Sequence, residues 1–381
     1  MRGPAAQPIV IAAGGTGGHF FPAEALAAEL IARGQRVVLM TDARSGAGSS
    51  PVFAQRELHV LKGAGIAGRG VVRAGKAVVA MAAGIVQARS ILAGLNASAV
   101  VGFGGYPSVA PVLASRLLRR RPAIVLHEQN AVLGRANRFL CRHADSLALS
   151  FAATQRVPSG TRTALTGNPV RPAIVALAQA AYRAPADQAA GQTGAGQAIR
   201  LLILGGSLGA RVFSDIVPDA LALLAEPLRA RLWVVQQCRP EDLDRVRAAY
   251  TQAGIAADLA AFFPDVADRL LSAHLVIARA GASTVAELAV VGRPSILVPL
   301  PGAIDDHQSA NARALAEAGG AVVIPQSDLT PRALADRLTT LLADATGLTQ
   351  AAVAARGMAQ AKAAAHLADL VESRMHQEAR S

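Results

Sequence analysis

The feature that most constrains the fold occurs twice: a short apolar run that ends in a cluster of glycines. Pro8-Ile-Val-Ile-Ala12 leads into Gly14-Gly-Thr-Gly-Gly18-His19, and Arg200-Leu-Leu-Ile-Leu204 leads into Gly205-Gly-Ser-Leu-Gly209. Such runs read as buried strands, and glycine lets the backbone turn sharply where the strand ends. After the first cluster a helix is predicted, with Pro22 near its first turn, Leu26, Leu30 and Ile31 inward, and Gly34 as its stop. Strands follow at 36–40, 98–102 and 123–126, with a long helix over 71–95. The second half repeats the alternation, with strands at 232–235, 259–262, 275–278, 296–298 and 321–324. Strands alternating with helices give parallel, doubly wound sheets, and 381 residues are enough for two of them. The expected fold is α/β, two Rossmann-like domains facing a central cleft.

The first domain is placed at 1–172. An Ala/Gln/Gly-rich stretch with little periodicity, 173–198, reads as a linker; the second domain follows at 199–345, and an alanine-rich helical tail at 346–381. Hydrophobic residues make up 52% of the chain and charged ones 17%, so the core is well supplied. The net charge of +12 is mostly scattered arginine, with one cluster at Arg116, Arg119, Arg120 and Arg121. Charge of this sign suits nucleic acid, an anionic membrane or a phosphorylated substrate. Aromatic residues at 3% argue against the first, because a base-stacking surface needs them. Cys141 and Cys238 show neither metal spacing nor a disulfide framework, which fits a reducing compartment. No apolar run approaches the ~20 residues of a membrane span. Ile9-Val-Ile runs into glycines and not into a cleavage site, so no signal peptide is read there.

Polar residues gather where strands end. In 278–311, Gly281 frees a turn, and Ser283 or Thr284 is placed to cap a helix with Val285, Leu288 and Ala289 inward and Gly292 as its stop. The next strand is followed by Asp305-Asp306-His307-Gln308. At the carboxyl ends of parallel strands, helix N-termini point free N–H groups at anions. A diphosphate fits there, with Glu287 accepting hydrogen bonds from a ribose. Thr284-x-x-Glu287 also matches a capping box, which by itself would explain the glutamate. Similar placements recur at Phe103-Gly-Gly-Tyr-Pro-Ser108 and His127-Glu-Gln-Asn130. The dinucleotide fingerprint fails: its third glycine falls on Phe20 in the first loop, and the second loop has no G-x-G, although Asp42 stands near where a ribose carboxylate would. A Walker lysine is absent, and Asp305-Asp306 is too short a signal for a metal site.

The motifs Gly14–His19, Phe103–Pro107, His127–Asn130, Gly167-Asn-Pro-Val-Arg171, Gly205–Ser207 and Gly281–Glu287 stand in an order and spacing that resembles the MurG family. These are the glycosyltransferases that add N-acetylglucosamine to undecaprenyl-diphospho-N-acetylmuramoyl-pentapeptide in bacterial cell-wall synthesis. The linker and the tail carry no match. The resemblance implies a GT-B fold and inverting transfer from UDP-N-acetylglucosamine to the 4-hydroxyl of the muramoyl sugar (lipid I to lipid II), with no cofactor and no metal. It also implies a peripheral enzyme on the cytoplasmic face of the inner membrane, working with cell-wall and division machinery. Donor contacts carried over by position are Thr16, Gly17, Gly18, Asn130, Arg171, Ser207, Phe263, Ala282, Ser283, Thr284, Val285, Ala286, Glu287 and Gln308. His307 precedes Gln308 where some relatives carry two glutamines. The lipid acceptor is expected on the first half.

Two residues are candidates for the base that takes the acceptor proton. His19 has an intrinsic pKa near ~6.5, though it could equally cap its helix; Glu128 is a strand-end carboxylate of a kind more often structural. Helix dipoles and Arg171 would stabilise the leaving diphosphate. In the long helix, Val71, Val72, Val78, Val79, Met81, Ile85 and Val86 lie near Arg69, Arg73 and Lys76, a composition that suits an anionic membrane surface as well as a core helix with a basic face. Two other functions remain open on sequence: another GT-B enzyme, such as a UDP-N-acetylglucosamine 2-epimerase or a transferase with a different lipid acceptor, and a non-catalytic sugar-nucleotide or membrane-binding module.

Overall fold

A computed structural model of the protein describes residues 7–14, 17–42, 50–61, 71–185, 198–206 and 209–378; the side chains of 71–77 are outside this description. The chain forms two compact units, Met1–Arg171 with Gln360–Ser381, and Pro172–Ala359.

The first unit runs β1 (Ile9–Ala12), α1 (Gly17–Ala32), β2 (Val37–Thr41), β3 (Leu58–Val60), α2 (Val71–Leu95), β4 (Ala99–Gly102), α3 (Gly105–Arg116), β5 (Ala123–Glu128), α4 (Arg135–Leu140), β6 (Ser146–Leu149) and β7 (Thr163–Leu165). Its sheet is seven-stranded in the order β3-β2-β1-β4-β5-β6-β7. β1 pairs in parallel with both β2 and β4, which leaves Ile9, Val10, Ile11 and Ala12 with no exposed surface. The strand order reverses at β1, so α1 and α3 leave neighbouring strands toward opposite faces. Ligands of open parallel sheets bind at such a reversal. Leu26 and Leu30 of α1 pack with Ile9 and Ile11 on one face, while Ala88 and Leu92 of α2 pack with Val10 and Val100 on the other.

Within α2, Met81 and Ile85 pack against that second core cluster, whereas Val78, Val79 and Val86 stay about 70% exposed. The outward apolar face is therefore narrower than the sequence suggested. Arg69 lies outside the described residues, as do the side chains of Val71, Val72, Arg73 and Lys76. The stretch Val78–Leu95 is long and apolar enough to cross a membrane. Within it, Ala88 and Leu92 are fully buried in the domain's own second core cluster.

The second unit runs α5 (Pro172–Val175), β8 (Ile199–Leu204), α6 (Arg211–Ala222), α7 (Glu226–Arg229), β9 (Leu232–Gln237), α8 (Leu243–Gln252), β10 (Ala256–Ala260), α9 (Val266–Ser272), β11 (Leu275–Ala278), α10 (Ala282–Val291), β12 (Ser295–Leu297), α11 (His307–Glu317), β13 (Ala321–Val323), α12 (Pro331–Leu342) and α13 (Ala345–Gly357). Its six strands, all parallel, lie in the order β10-β9-β8-β11-β12-β13, again reversing beside the first strand. β10 starts and ends earlier than 259–262, because Phe262 is 69% exposed and belongs to the turn.

The segment read as a linker begins as part of this unit. Ile174 is fully buried, and the Tyr182 hydroxyl donates to the His274 carbonyl at 2.9 Å. The Arg293 guanidinium lies 5.4 Å from the Tyr182 ring centroid and closes α9 by donating to the Leu270 and Leu271 carbonyls, both at 2.7 Å. Burial brings the Arg293 pKa down to about 10. The alanine-rich end divides. α13 stays here, with Leu348, Ala352 and Ala355 buried; α14 (Ala363–Glu378) joins the first unit, its Leu367, Ala368 and Val371 packed in the cluster that holds α1. Arg33, just past the end of α1, fastens it through Asp369 at 2.6 Å and Glu372 at 2.8 Å.

Candidate functional site

In the first unit the polar residues converge on the strand-order reversal. A Cβ at Gly14 would lie 2.9 Å from Thr41 Oγ1 and 3.0 Å from Pro107 Cγ, so only glycine lets the turn after β1 pass between β2 and α3. Thr16 lies outside the described residues; Gly17 opens α1, and Gly18 is exposed at its start. His19 is half-buried, with Nδ1 2.9 Å from Gln129 Oε1. Gly105, in the left-handed region at φ 67°, borders its ring. Arg171 places its guanidinium 5.0 Å from the ring centroid of Phe21, so it stands against the same helix.

At the end of β5, His127, Glu128 and Gln129 are all buried. Glu128 is 2% exposed, and four donors converge on its two oxygens. Oε1 accepts from the Asn130 backbone and side-chain nitrogens, both at 3.0 Å; Oε2 accepts from Gly134 N and Asn137 Nδ2, both at 2.9 Å. A carboxylate so engaged holds the 130–137 turn in place and has little capacity left for an acceptor proton. His127 packs on Phe103, and its Nε2 lies 3.0 Å from the Gly167 carbonyl. Burial pushes the His127 pKa down to about 4, so the ring is neutral near pH 7.

In the second unit, five strand-end turns lie side by side. A Cβ on Gly205 would lie 2.2 Å from Ala210 N, so the turn after β8 closes on itself and admits only glycine. Ser207, within that turn, lies outside the described residues. Gln237 braces two neighbours, accepting from Gly205 N at 3.2 Å and donating to Ala261 O at 3.1 Å. Phe263 is buried with the Arg269 guanidinium stacked at 4.0 Å from its ring centroid.

α10 begins at Ala282, and its N-cap is Gly281, which has no side chain to cap with. The capping box expected between Thr284 and Glu287 therefore does not form: Thr284 is the third helical residue and Glu287 the sixth, out of reach of the cap. Glu287 is instead 8% exposed, between one and two turns inside α10. Ser283 Oγ is buried without a partner among the described residues. Val285 and Ala286 follow on the same turn. Gly292, at φ 64°, ends the helix in the left-handed conformation.

Two residues that the sequence did not single out lock these turns together. Arg279, buried, donates to the Val298 and Pro299 carbonyls at 3.1 and 3.0 Å and to Gln326 Oε1 at 2.6 Å. Asn311, with no exposed surface, donates to Ala280 O at 3.1 Å. Gln308 Oε1 accepts from Leu300 N at 3.0 Å. His307 donates through Nδ1 to Ile304 O at 2.7 Å and so faces its own loop. Gln129 and His127 were legible only as polar residues at a strand end, and Gln237 was not singled out.

The chain's matches to known proteins agree with this layout. The glycosyltransferase family 28 N-terminal domain matches residues 9–149, and the family 28 C-terminal domain matches residues 200–370. The UDP-N-acetylglucosamine–N-acetylmuramyl-(pentapeptide) pyrophosphoryl-undecaprenol N-acetylglucosamine transferase of Granulibacter bethesdensis is 61% identical over 97% of this chain and 94% of its own length. The enzyme of the same name from Acidiphilium cryptum is 56% identical over 98% of both chains. Among solved structures, Acinetobacter baumannii MurG superposes with a TM-score of 0.76 at 31% identity, covering 96% of this chain and 99% of that one. Two parallel-sheet α/β units carrying the two halves of one transferase signature are the GT-B architecture, and the chain belongs to the MurG family of glycosyltransferases.

Proposed function

We infer that this chain transfers N-acetylglucosamine from UDP-N-acetylglucosamine to the 4-hydroxyl of N-acetylmuramoyl-pentapeptide diphospho-undecaprenol, turning lipid I into lipid II with inversion at the sugar. Family membership and the strand-end site together support this reading. The observation that carries its chemistry is His19, a half-buried imidazole at the head of α1 beside the glycine turns after β1 and β4.

In the reaction the acceptor oxygen forms a bond to the sugar's C1 as the C1–phosphate oxygen bond breaks. The acceptor proton goes to His19, and the electron pair leaves with the diphosphate. The second unit holds the donor: the turn after β8 with Ser207 and the start of α10 meet the diphosphate, and Glu287 takes the ribose hydroxyls. Phe263 offers its backbone to the uracil edge, and Gln308 its amide to the sugar. The first unit holds the acceptor, with Thr16, Gly17, Gly18, Asn130 and Arg171 as its share of the donor contacts. Glu128 supports the turn that carries Asn130 and leaves the proton to His19.

The membrane-linked acceptor also gives a role to the exposed face of α2. Val78, Val79 and Val86 would enter the headgroup region of an anionic membrane, with the exposed arginines at 119–121, just past the end of α3, at its surface. The enzyme would thereby work as a peripheral protein on the cytoplasmic face, where cell-wall and division proteins are its expected neighbours.

The deciding assay follows labelled N-acetylglucosamine from UDP to a lipid I analogue, with a donor-only control. Product should form only with acceptor. UDP release at the same rate without acceptor would move the function to an epimerase or hydrolase on the same fold.

A further inference from the structure

We propose that Gln129 and His127 form a relay that fixes the tautomer of His19 and leaves its Nε2 as the proton acceptor; this rests on the reading of His19 as the base. The relay starts from one group whose role is not negotiable. The Gly167 carbonyl can only accept, so His127 Nε2, 3.0 Å away, must carry a hydrogen. His127 is fully buried and neutral, so its Nδ1 holds a lone pair and must receive a hydrogen bond. Gln129 Nε2 supplies it at 2.9 Å and gives its second hydrogen to the His127 carbonyl at 3.1 Å. The opposite amide orientation would set the glutamine oxygen against that carbonyl and that lone pair at once. With both hydrogens committed, Gln129 turns its oxygen toward His19, 2.9 Å from Nδ1. An amide oxygen accepts and does not donate, so His19 Nδ1 carries the hydrogen and Nε2 is left with the lone pair.

Burial keeps water from competing: Gln129 is 1% exposed. The starting carbonyl is itself fixed. Gly167 is in the left-handed region at φ 83°, and a Cβ there would lie 2.4 Å from Gln360 Cβ, so the carbonyl is wedged against the approach to α14. When Nε2 takes the acceptor proton, the Nδ1–H to Gln129 bond becomes charge-assisted and strengthens as the reaction proceeds. Gln129 and His127 are positioning residues in this scheme. Of the charged and titratable groups on these elements, His127 is neutral, Glu128 lies within its four hydrogen bonds, and the Arg171 guanidinium stands 5.0 Å from the Phe21 ring centroid.

Histidine ring-nitrogen NMR on the intact, unaltered protein near neutral pH is the direct test. His19 should show a protonated Nδ1 and a bare Nε2, and His127 the reverse. His19 protonated on Nε2 in its neutral form would overturn the proposal without any variant. Gln129→Leu should mix the His19 tautomers and lower kcat roughly ten- to a hundredfold, with the donor KM nearly unchanged. Gln129→Glu keeps an acceptor at Nδ1 but makes it anionic, and should move the acid limb of the kcat profile up by about 1–3 pH units, which a packing role would not do. If His19→Ala is inactive while Gln129→Leu keeps both turnover and tautomer, the relay is wrong and the base reading stands. If His19→Ala turns over normally, the base reading falls, and the relay with it.

Discussion

Glu128→Gln separates a scaffold carboxylate from a base. The substitution keeps the size and one oxygen, but replaces the other oxygen with an NH2 group that faces two donors. Whichever way the amide settles, one pair of bonds is lost: either those from the Asn130 backbone and side chain at 3.0 Å, or those from Gly134 N and Asn137 Nδ2 at 2.9 Å. Hydrogen bonds to a charged group contribute ~1.5–3 kcal/mol each, and donors left buried add their desolvation, so the change should cost about 3–5 kcal/mol. In a unit of this size that lowers the melting temperature by on the order of 10 °C. Calorimetric unfolding measures the loss. Asn137→Ala should lose part of the same energy, and the double variant should fall short of the sum because the two share one network. A general base behaves otherwise: its loss reduces turnover by ~10²–10⁴ without unfolding anything. An unchanged melting temperature together with a loss of that size would refute the scaffold argument and return Glu128 to the chemistry.

Three further outcomes are expected. Glu287→Ala should weaken UDP binding roughly ten- to a hundredfold, a loss of ~1.5–3 kcal/mol for a charged acceptor; unaltered UDP affinity in titration calorimetry would remove the ribose assignment. Val79→Glu with Val86→Glu should release the protein from anionic vesicles in a flotation assay yet leave transfer to a water-soluble acceptor intact, since both side chains are about 70% exposed and carry no core packing. Loss of activity on both acceptors would count against the membrane role. His127 gives the first unit an acid sensitivity of calculable sign. Its folded pKa of about 4 lies below the ordinary 6.5, so the unfolded chain binds the proton first. Stability is fully present above about pH 6.5 and falls by about 3 kcal/mol as pH drops toward 4. Denaturant midpoints across that window should flatten in His127→Gln, and an unchanged slope would show that the ring is not the group responsible.

Some of this protein is written in short stretches of its sequence. The alternation of apolar runs and helices, the glycine turns after the first strand of each half, the extent of α2 and the left-handed stop at Gly292 were all legible there. Each depends on residues within one turn or one strand of each other. The local settings of Glu287 and Glu128 were not legible. Thr284-x-x-Glu287 looks like a cap until the helix is seen to start at Ala282, a start set by where β11 ends and not by the serine and threonine beside it. Glu128 looks like a strand-end acid until Gly134 and Asn137 fold back onto it. Strand order was beyond the sequence as well, because the central parallel strands are similar apolar runs and only long-range pairing decides their neighbours. That pairing sets β1 between β2 and β4 and β8 between β9 and β11, and so creates the reversals where the polar turns gather. α14 is the plainest case. Its alanine-rich sequence reads as a helical tail with no stated partner, but Leu367, Ala368 and Val371 pack in the cluster that holds α1, more than three hundred residues earlier in the chain, and a helix with so few large side chains is placed by the surface that accepts it.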